Sequence, residues 1–325
     1  MVKSGQDLWL NAMLLKAFMK NGFALKNGSK SWELTDLQFL SLTPDLAKGF
    51  LKFTRHSLYR KQFFELEVSL IRQQADEILQ TIGGGAFNLI DIWCGDGLKA
   101  VELIKALNAS AEKPIEIRYC PLNAAQYLID LAVENVKKAN LPNVVAYEPF
   151  LSAGDGMALR QLSKKLRTQD FPKHAVMLTG GVLACYEINH YLFELSRDLR
   201  EGDSLFIGNG VRVGERLVEI DKYKDSIFQE WFKHLIYGLG FSDDDVEFDV
   251  RFGNSRVEMF YRLKVEKNIK SGKRVIKFSP GDELVVNALY KYYAEEFEKF
   301  CKMYFTDARV VTDKSGGYAW VMCRK

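Results

Sequence analysis

Residues 88–107, N-L-I-D-I-W-C-G-D-G-L-K-A-V-E-L-I-K-A-L, constrain the fold more than any other stretch of the chain. A short apolar run, Leu89 to Ile92 with Asp91 inside it, gives way to a sharp turn through Cys94-Gly95-Asp96-Gly97. Val101, Leu103, Ile104 and Leu107 then recur at helical spacing. A buried strand, a glycine turn and an amphipathic helix make up the first nucleotide-binding turn of a doubly wound α/β domain. Glycine suits such a turn because a Cβ collides where backbone passes close under a ligand. The same pattern also fits an α/β turn that holds nothing.

The flanking sequence supports the α/β reading. Apolar runs at 88–93, 115–120, 144–147, 175–179 and 204–208 alternate with helical patterns at 98–109, 123–139, 157–166 and 189–199. Five short strands separated by helices predict a parallel sheet, with the ligand turns along the strands' carboxyl ends. Upstream, the pattern is helical: an amphipathic helix over 7–22, a polar loop at 26–30, and a long helix over 53–79. Thr43 and Pro44 read as N-cap and first residue of another helix. Downstream, an aromatic-rich helix over 214–239 precedes alternating strands over 246–265 and a short strand at 275–278. A helix over 283–302 and a closing hairpin, 308–312 with 317–324, complete the chain. The expected division is a helical N-terminal segment (1–80) contributing to a substrate cover, a cofactor domain (81–208 and 282–325) and an inserted substrate domain (209–281).

Composition narrows the function. Lys and Arg number 45 against 42 Asp and Glu, a net charge of +3, too mild to suggest a nucleic-acid partner. The five cysteines, at 94, 120, 185, 301 and 323, are an odd count without metal spacing and suggest free thiols in a reducing cytoplasm. Four scattered histidines offer no metal cluster, and His56 and His234 read as helix residues outside the chemistry. No apolar run approaches membrane-spanning length, and the N-terminus lacks the pattern of a signal peptide. Neither a membrane partner nor a metal is expected, and oligomeric state is not legible.

Spacing separates the possible nucleotides. A dinucleotide fingerprint needs a third glycine, but the corresponding positions hold Leu98 and Lys99, which disfavours a nicotinamide-dependent dehydrogenase. D-x-x-x-G-x-G instead resembles the first motif of class I S-adenosylmethionine-dependent methyltransferases, with Trp93 where that motif usually has its first glycine. The resemblance sharpens to the histidine-specific N-alpha-methyltransferase family of ergothioneine biosynthesis, from about Leu51 to the C-terminus. Its pieces are Phe53-Thr54-Arg55, the turn D-I-W-C-G-D-G-L-K-A, Tyr119-Cys120-Pro121-Leu122-Asn123, Met177-Leu178-Thr179-Gly180-Gly181, Ser255-Arg256-Val257-Glu258-Met259, Phe278-Ser279-Pro280-Gly281-Asp282-Glu283 and Lys291-Tyr292. Their collinearity carries the resemblance.

The resemblance implies a Rossmann-like, mostly parallel class I sheet with an antiparallel C-terminal hairpin, and S-adenosyl-L-methionine as cofactor. It assigns Asp91, Trp93, Gly95, Asp96 and Gly97 to the methionine end. Lys99 reads either as a partner of the cofactor carboxylate or as a solvated helix lysine. Asn123 stands where the family has a ribose-binding Asp. Glu148 and Phe150 stand at the adenine, although Glu148 reads equally as a loop acid, and Thr179 and Gly180 close the fourth strand. The histidine-gripping positions do not carry over: Ala184 replaces an Asn, Asn287 a Glu and Leu289 a Ser. A site built from hydrogen bonds rejects mismatched partners, so free histidine is a poor substrate candidate. Asn287 and Tyr290, expected to share a helix end, are the substrate-side candidates. Tyr223 matches a family tyrosine that meets the substrate, or is an ordinary helix aromatic. The expected activity is N-methylation of an amino acid or related small amine. A peptide or protein acceptor, and a catalytically degraded cofactor-binding relative, are the alternatives.

Overall fold

Strand β3 (Ala86–Ile92) sets the layering through its alternation. Phe87 and Leu89 enter one apolar cluster and Ile90 and Ile92 the other, because successive side chains leave a strand on opposite faces. The same split recurs in β4 (Glu116–Asn123) and β7 (Lys173–Leu178): Ile117, Tyr119, Ala175 and Met177 on one face, Cys120, Leu122, Val176 and Leu178 on the other. Strands buried on both faces belong to parallel sheets wrapped by helices. The computed structural model describes residues 5–26, 28–152, 156–214, 220–271 and 274–325.

Two compact units result, 57–216 with 291–325 and 1–56 with 217–290. The boundaries differ from those drawn on the sequence, because the helices over 57–82 pack within the first of these units. That unit is an eight-stranded sheet ordered β14-β15-β8-β7-β3-β4-β5, with β6 (Phe150–Leu151) beside β4. Here β5 is Val144–Tyr147, β8 is Ser204–Gly210, and β14 (Asp307–Thr312) and β15 (Tyr318–Arg324) form the antiparallel closing hairpin. The other pairings are parallel. Strand order reverses between β3 and β7, and ligands of open α/β sheets bind at such a switch point, outside the carboxyl ends. Helices α3 (Ser57–Tyr59), α4 (Glu65–Gln73), α5 (Ala75–Ile82), α6 (Leu98–Ser110), α7 (Gln126–Lys138), α8 (Gly156–Leu166), α9 (Ile188–Asp198) and α11 (Ala294–Lys302) belong to this unit. A π-helical turn, Arg60–Phe64, links α3 to α4.

The other unit holds α1 (Gly5–Asn21), α2 (Pro44–Arg55), α10 (Ser226–Gly238) and a sheet ordered β1-β2-β13-β10-β9. Its strands are β1 (Phe23–Lys26), β2 (Ser29–Glu33), β9 (Val246–Gly253), β10 (Arg256–Leu263) and β13 (Glu283–Tyr290), with a separate hairpin of β11 (Lys267–Ser271) and β12 (Arg274–Phe278). Thr43 caps α2 by accepting from the Leu46 N–H at 3.3 Å, with Pro44 at the first turn, as the sequence predicts. Gly49 lets α2 close on α10: a Cβ there would lie 3.0 Å from the Trp231 ring.

Several expectations fail for local reasons. The helix expected over 53–79 breaks at His56, and the helical N-terminal third contains the hairpin β1–β2, whose four- and five-residue strands are too short to show a period. Pro121 lies inside β4 rather than after it. Its missing N–H costs nothing there, because β5 pairs with β4 only to Tyr119 and β6 only from Leu122. The helix expected over 283–302 is two elements: β13, then α11. Leu284 and Ala288 mimic helical spacing, but Val285 and Val286 are both fully buried, as in a central strand. Part of the helix expected over 214–239, residues 215–219, lies outside the described residues. Among the described residues, no helix is long and apolar enough to cross a membrane.

Candidate active site

The turn after β3 is built from backbone geometry few sequences tolerate. Trp93, Gly95 and Gly97 take positive φ of 58°, 56° and 73°. For Gly97 the reason differs from ligand approach: a Cβ would sit 2.8 Å from the Ala132 Cα of α7. Asp96 closes the turn, its Oδ1 accepting from the Leu98 N–H at 3.2 Å and its carbonyl from Asn135 Nδ2 at 2.8 Å. The Trp93 indole packs on the cluster opposite α6 and donates to the Tyr186 hydroxyl at 3.0 Å.

Asp91, 2 % exposed, uses one carboxylate oxygen to accept from the Tyr119 hydroxyl at 2.8 Å. Its other oxygen, Oδ1, is buried with no hydrogen-bond partner among the described residues. Burial, against the Tyr119 hydrogen bond, pushes the Asp91 pKa up to about 7. Burial also raises Asp96. A buried acceptor left unmatched at the switch point suits a cationic ligand group.

Lys99 is not a solvated helix lysine. It is 8 % exposed, and its Nζ lies 2.5 Å from Glu67 Oε2 of α4, itself fully buried. Both Glu67 oxygens also accept from the Gly180 N–H at 3.1 Å. Lys99 donates further to the Tyr59 hydroxyl. Burial works against the ammonium, but Glu67 and Tyr59 hold the Lys99 pKa above the ordinary lysine range.

The remaining positions line the same carboxyl edge. Asn123 ends β4, 3 % exposed, with Oδ1 accepting from the Ala125 N–H at 3.1 Å. Glu148 follows β5, half-buried and paired with Lys165 at 2.9 Å, and the Lys165 ammonium lies 4.9 Å from the Phe150 ring centre. Thr179 and Gly180 follow β7. All the expected cofactor positions therefore gather in one unit, at the ends of β3, β4, β5 and β7.

The three substrate-side candidates fall in the other unit. Tyr223 is 1 % exposed, its ring 5.8 Å from Phe228. Asn287 and Tyr290 do not share a helix end. They lie three residues apart on β13 and so point to opposite sheet faces. Asn287 pairs in register with Met259, and Tyr290 with Arg256. Glu258 serves an ion-pair network with Lys26, Arg251 and Arg256.

Sequence reasoning missed Glu67 and Tyr59. Lys291, quoted only as part of a motif, is 5 % exposed, and a Cβ on Gly210 would lie 2.8 Å from its Nζ. Burial lowers the Lys291 pKa to about 8, with Cys185 beside it. Among the described residues, no group of His, Cys, Asp and Glu is placed to hold a metal ion.

A sheet with this order, a glycine turn and an acid at the end of its first strand define an S-adenosylmethionine-dependent methyltransferase of class I. The residues fit that cofactor, since the orphaned Asp91 oxygen would answer its ammonium beside the positive-φ turn. The sequence profile of the histidine-specific, S-adenosylmethionine-dependent methyltransferases matches residues 49–325, and the chain belongs to that family. Similar solved structures include a Pyrococcus horikoshii OT3 protein (14 % identity, 84 % of this chain and 94 % of that one, TM-score 0.41). A putative O-methyltransferase of Nostoc punctiforme PCC 73102 is similar at 11 % identity (99 % and 69 %, TM-score 0.43). Magnesium protoporphyrin IX methyltransferase of Synechocystis PCC 6803, with bound S-adenosylhomocysteine, is similar at 10 % identity (86 % and 94 %, TM-score 0.43). No curated protein matches the sequence.

Proposed function

We propose that this methyltransferase N-methylates an amino acid or related small amine other than free histidine. The observation that carries the reading is the loss of histidine-gripping chemistry. Ala184, where the resemblance puts an amide, is 2 % exposed, and position 287 holds an amide where it puts a carboxylate. When bound, the cofactor supplies a methyl group made electrophilic by its sulfonium. Asp91 holds the tail ammonium, Gly95 and Asp96 shape the turn against it, and Asn123, Glu148 and Phe150 meet the nucleoside. Thr179 and Gly180 close the cleft on the β7 side. Holding reactants in line is worth roughly 7–11 kcal/mol, so positioning alone suffices without a nucleophile or metal. The acceptor amine reacts as its neutral form. The five free cysteines favour a reducing compartment, the cytoplasm.

The test is transfer of an isotope-labelled methyl group to a panel of amino acids, biogenic amines and histidine, with a lysate arm for peptide and protein acceptors. Labelling of a small amine in preference to histidine is expected. Labelling of histidine alone, or of protein alone, refutes the reading.

A further inference from the structure

Glu67 does more than neutralise a lysine. Its carboxylate lies directly over Gly208 of β8, where any Cβ would overlap it, and it takes the Gly180 N–H with both oxygens. Gly180 in turn must lack a side chain, since a Cβ there would lie 2.7 Å from Lys99 Nζ and 3.6 Å from the Tyr59 hydroxyl. Two glycines, one just after β7 and one within β8, thus make room for one ion pair, with members 0 % and 8 % exposed. A buried carboxylate bonded to backbone and ammonium does not leave readily, because either group alone in that environment is strongly disfavoured. Lys99 is the cation at the start of α6, beside the methionine-end turn, and its charge is answered from within the chain. Asp91, by contrast, presents an unanswered buried oxygen at the same turn.

We propose that the Glu67–Lys99 pair stands in for the cofactor's carboxylate, so that the amino-acid tail is selected through its ammonium at Asp91 and the carboxylate contributes little. This rests on the cofactor reading above, and it departs from the carboxylate role that the family resemblance gives Lys99. It follows that a cofactor analogue lacking the carboxylate is accepted, whereas one lacking the amine is not.

Calorimetric titration of the full chain with three probes tests this. The probes are S-adenosylhomocysteine, its decarboxylated aminopropyl analogue, and its deaminated analogue that keeps the carboxylate. Expected is a loss below about 3-fold for the decarboxylated probe and above about 30-fold for the deaminated one, since hydrogen bonds to a charged group outweigh those to an already neutralised pair. In Glu67→Gln, which frees the Lys99 charge, the deaminated probe should gain about 10-fold. A wild-type loss above about 10-fold for the decarboxylated probe overturns the proposal even if the variant fails to fold. Should S-adenosylhomocysteine itself fail to bind at millimolar concentration, the cofactor reading falls and takes the proposal with it. Binding with the opposite analogue preference defeats the proposal alone.

Discussion

Asp91 is the residue whose environment most clearly sets stability against function. Its carboxyl is raised by burial to about 7 from an ordinary 3.8. The unfolded chain releases this proton near pH 4 and the folded chain only near 7. The native state therefore binds more protons between those values, and stability falls as pH rises through that window. At 1.36 kcal/mol per pH unit the ionised form costs about 4 kcal/mol above pH 7. Asp91→Asn removes that cost. The amide oxygen still accepts from Tyr119, but the new N–H2 is buried without an assigned acceptor, a penalty of about 1–3 kcal/mol that does not depend on pH. Comparing variant and wild type at pH 5 and again at pH 8 cancels this penalty. What remains is the wild-type loss between pH 5 and 7, about 3 kcal/mol, or about 4–8 °C in Tm for a protein of this size. Thermal unfolding at both values, without cofactor, is the assay. The variant should gain that margin at pH 8 relative to pH 5. Added S-adenosylhomocysteine should then raise the Tm of the wild type and not of the variant. A variant-to-wild-type difference that is equal at the two pH values would refute the assignment of a raised Asp91.

Other substitutions separate the causes proposed for individual residues. Gly97→Ala combines a positive φ with a clash on α7 and should cost roughly 2–4 kcal/mol in urea unfolding. Gly84→Ala, at φ 61° with open space around it, supplies the control at about 1–2 kcal/mol. Arg167→Met leaves the fully buried Asp203 carboxylate without its two-pronged partner (2.5 and 3.1 Å) and should destabilise by about 3–5 kcal/mol. His174, 1 % exposed at the start of β7, is held below the ordinary histidine range by burial, with Asp203 opposing and Arg167 assisting. Its unfolded form gains a proton near 6.5 while the folded form stays neutral, so this contribution is present above pH 6.5 and lost as pH falls. Imidazole NMR titration should show the ring still neutral below the ordinary histidine midpoint of 6.5, and full protonation at 6.5 in the folded state would contradict this.

The cofactor half of the molecule was legible because each strand is a short apolar run and each ligand turn carries a glycine or polar residue at its end. Asp91, Asn123, Glu148 and Thr179 could be placed on one edge before any coordinates, since right-handed crossovers leave no other arrangement. The unit of 1–56 and 217–290 was not. β13 reads as helix over Glu283–Tyr290 because Leu284 and Ala288 satisfy a period of four, while its neighbours β2 and β10 come from distant sequence. That single error moved Asn287 and Tyr290 from one helix end to opposite sides of a strand. Glu67 is more instructive, because the information was present. Over residues 57–82, Phe63, Phe64, Leu70, Ile71 and Ile78 recur at helical spacing, and position 67 falls on their stripe, whereas Glu65 does not. An acid on an apolar stripe must find a buried cation or lose its charge. Such a cation needs a place where backbone can approach without side chains, and Gly180 and Gly208 provide one. A misplaced acid on one helix, a lysine just after a glycine turn and a glycine at each of two neighbouring strands together describe an ion pair that no one of them announces alone.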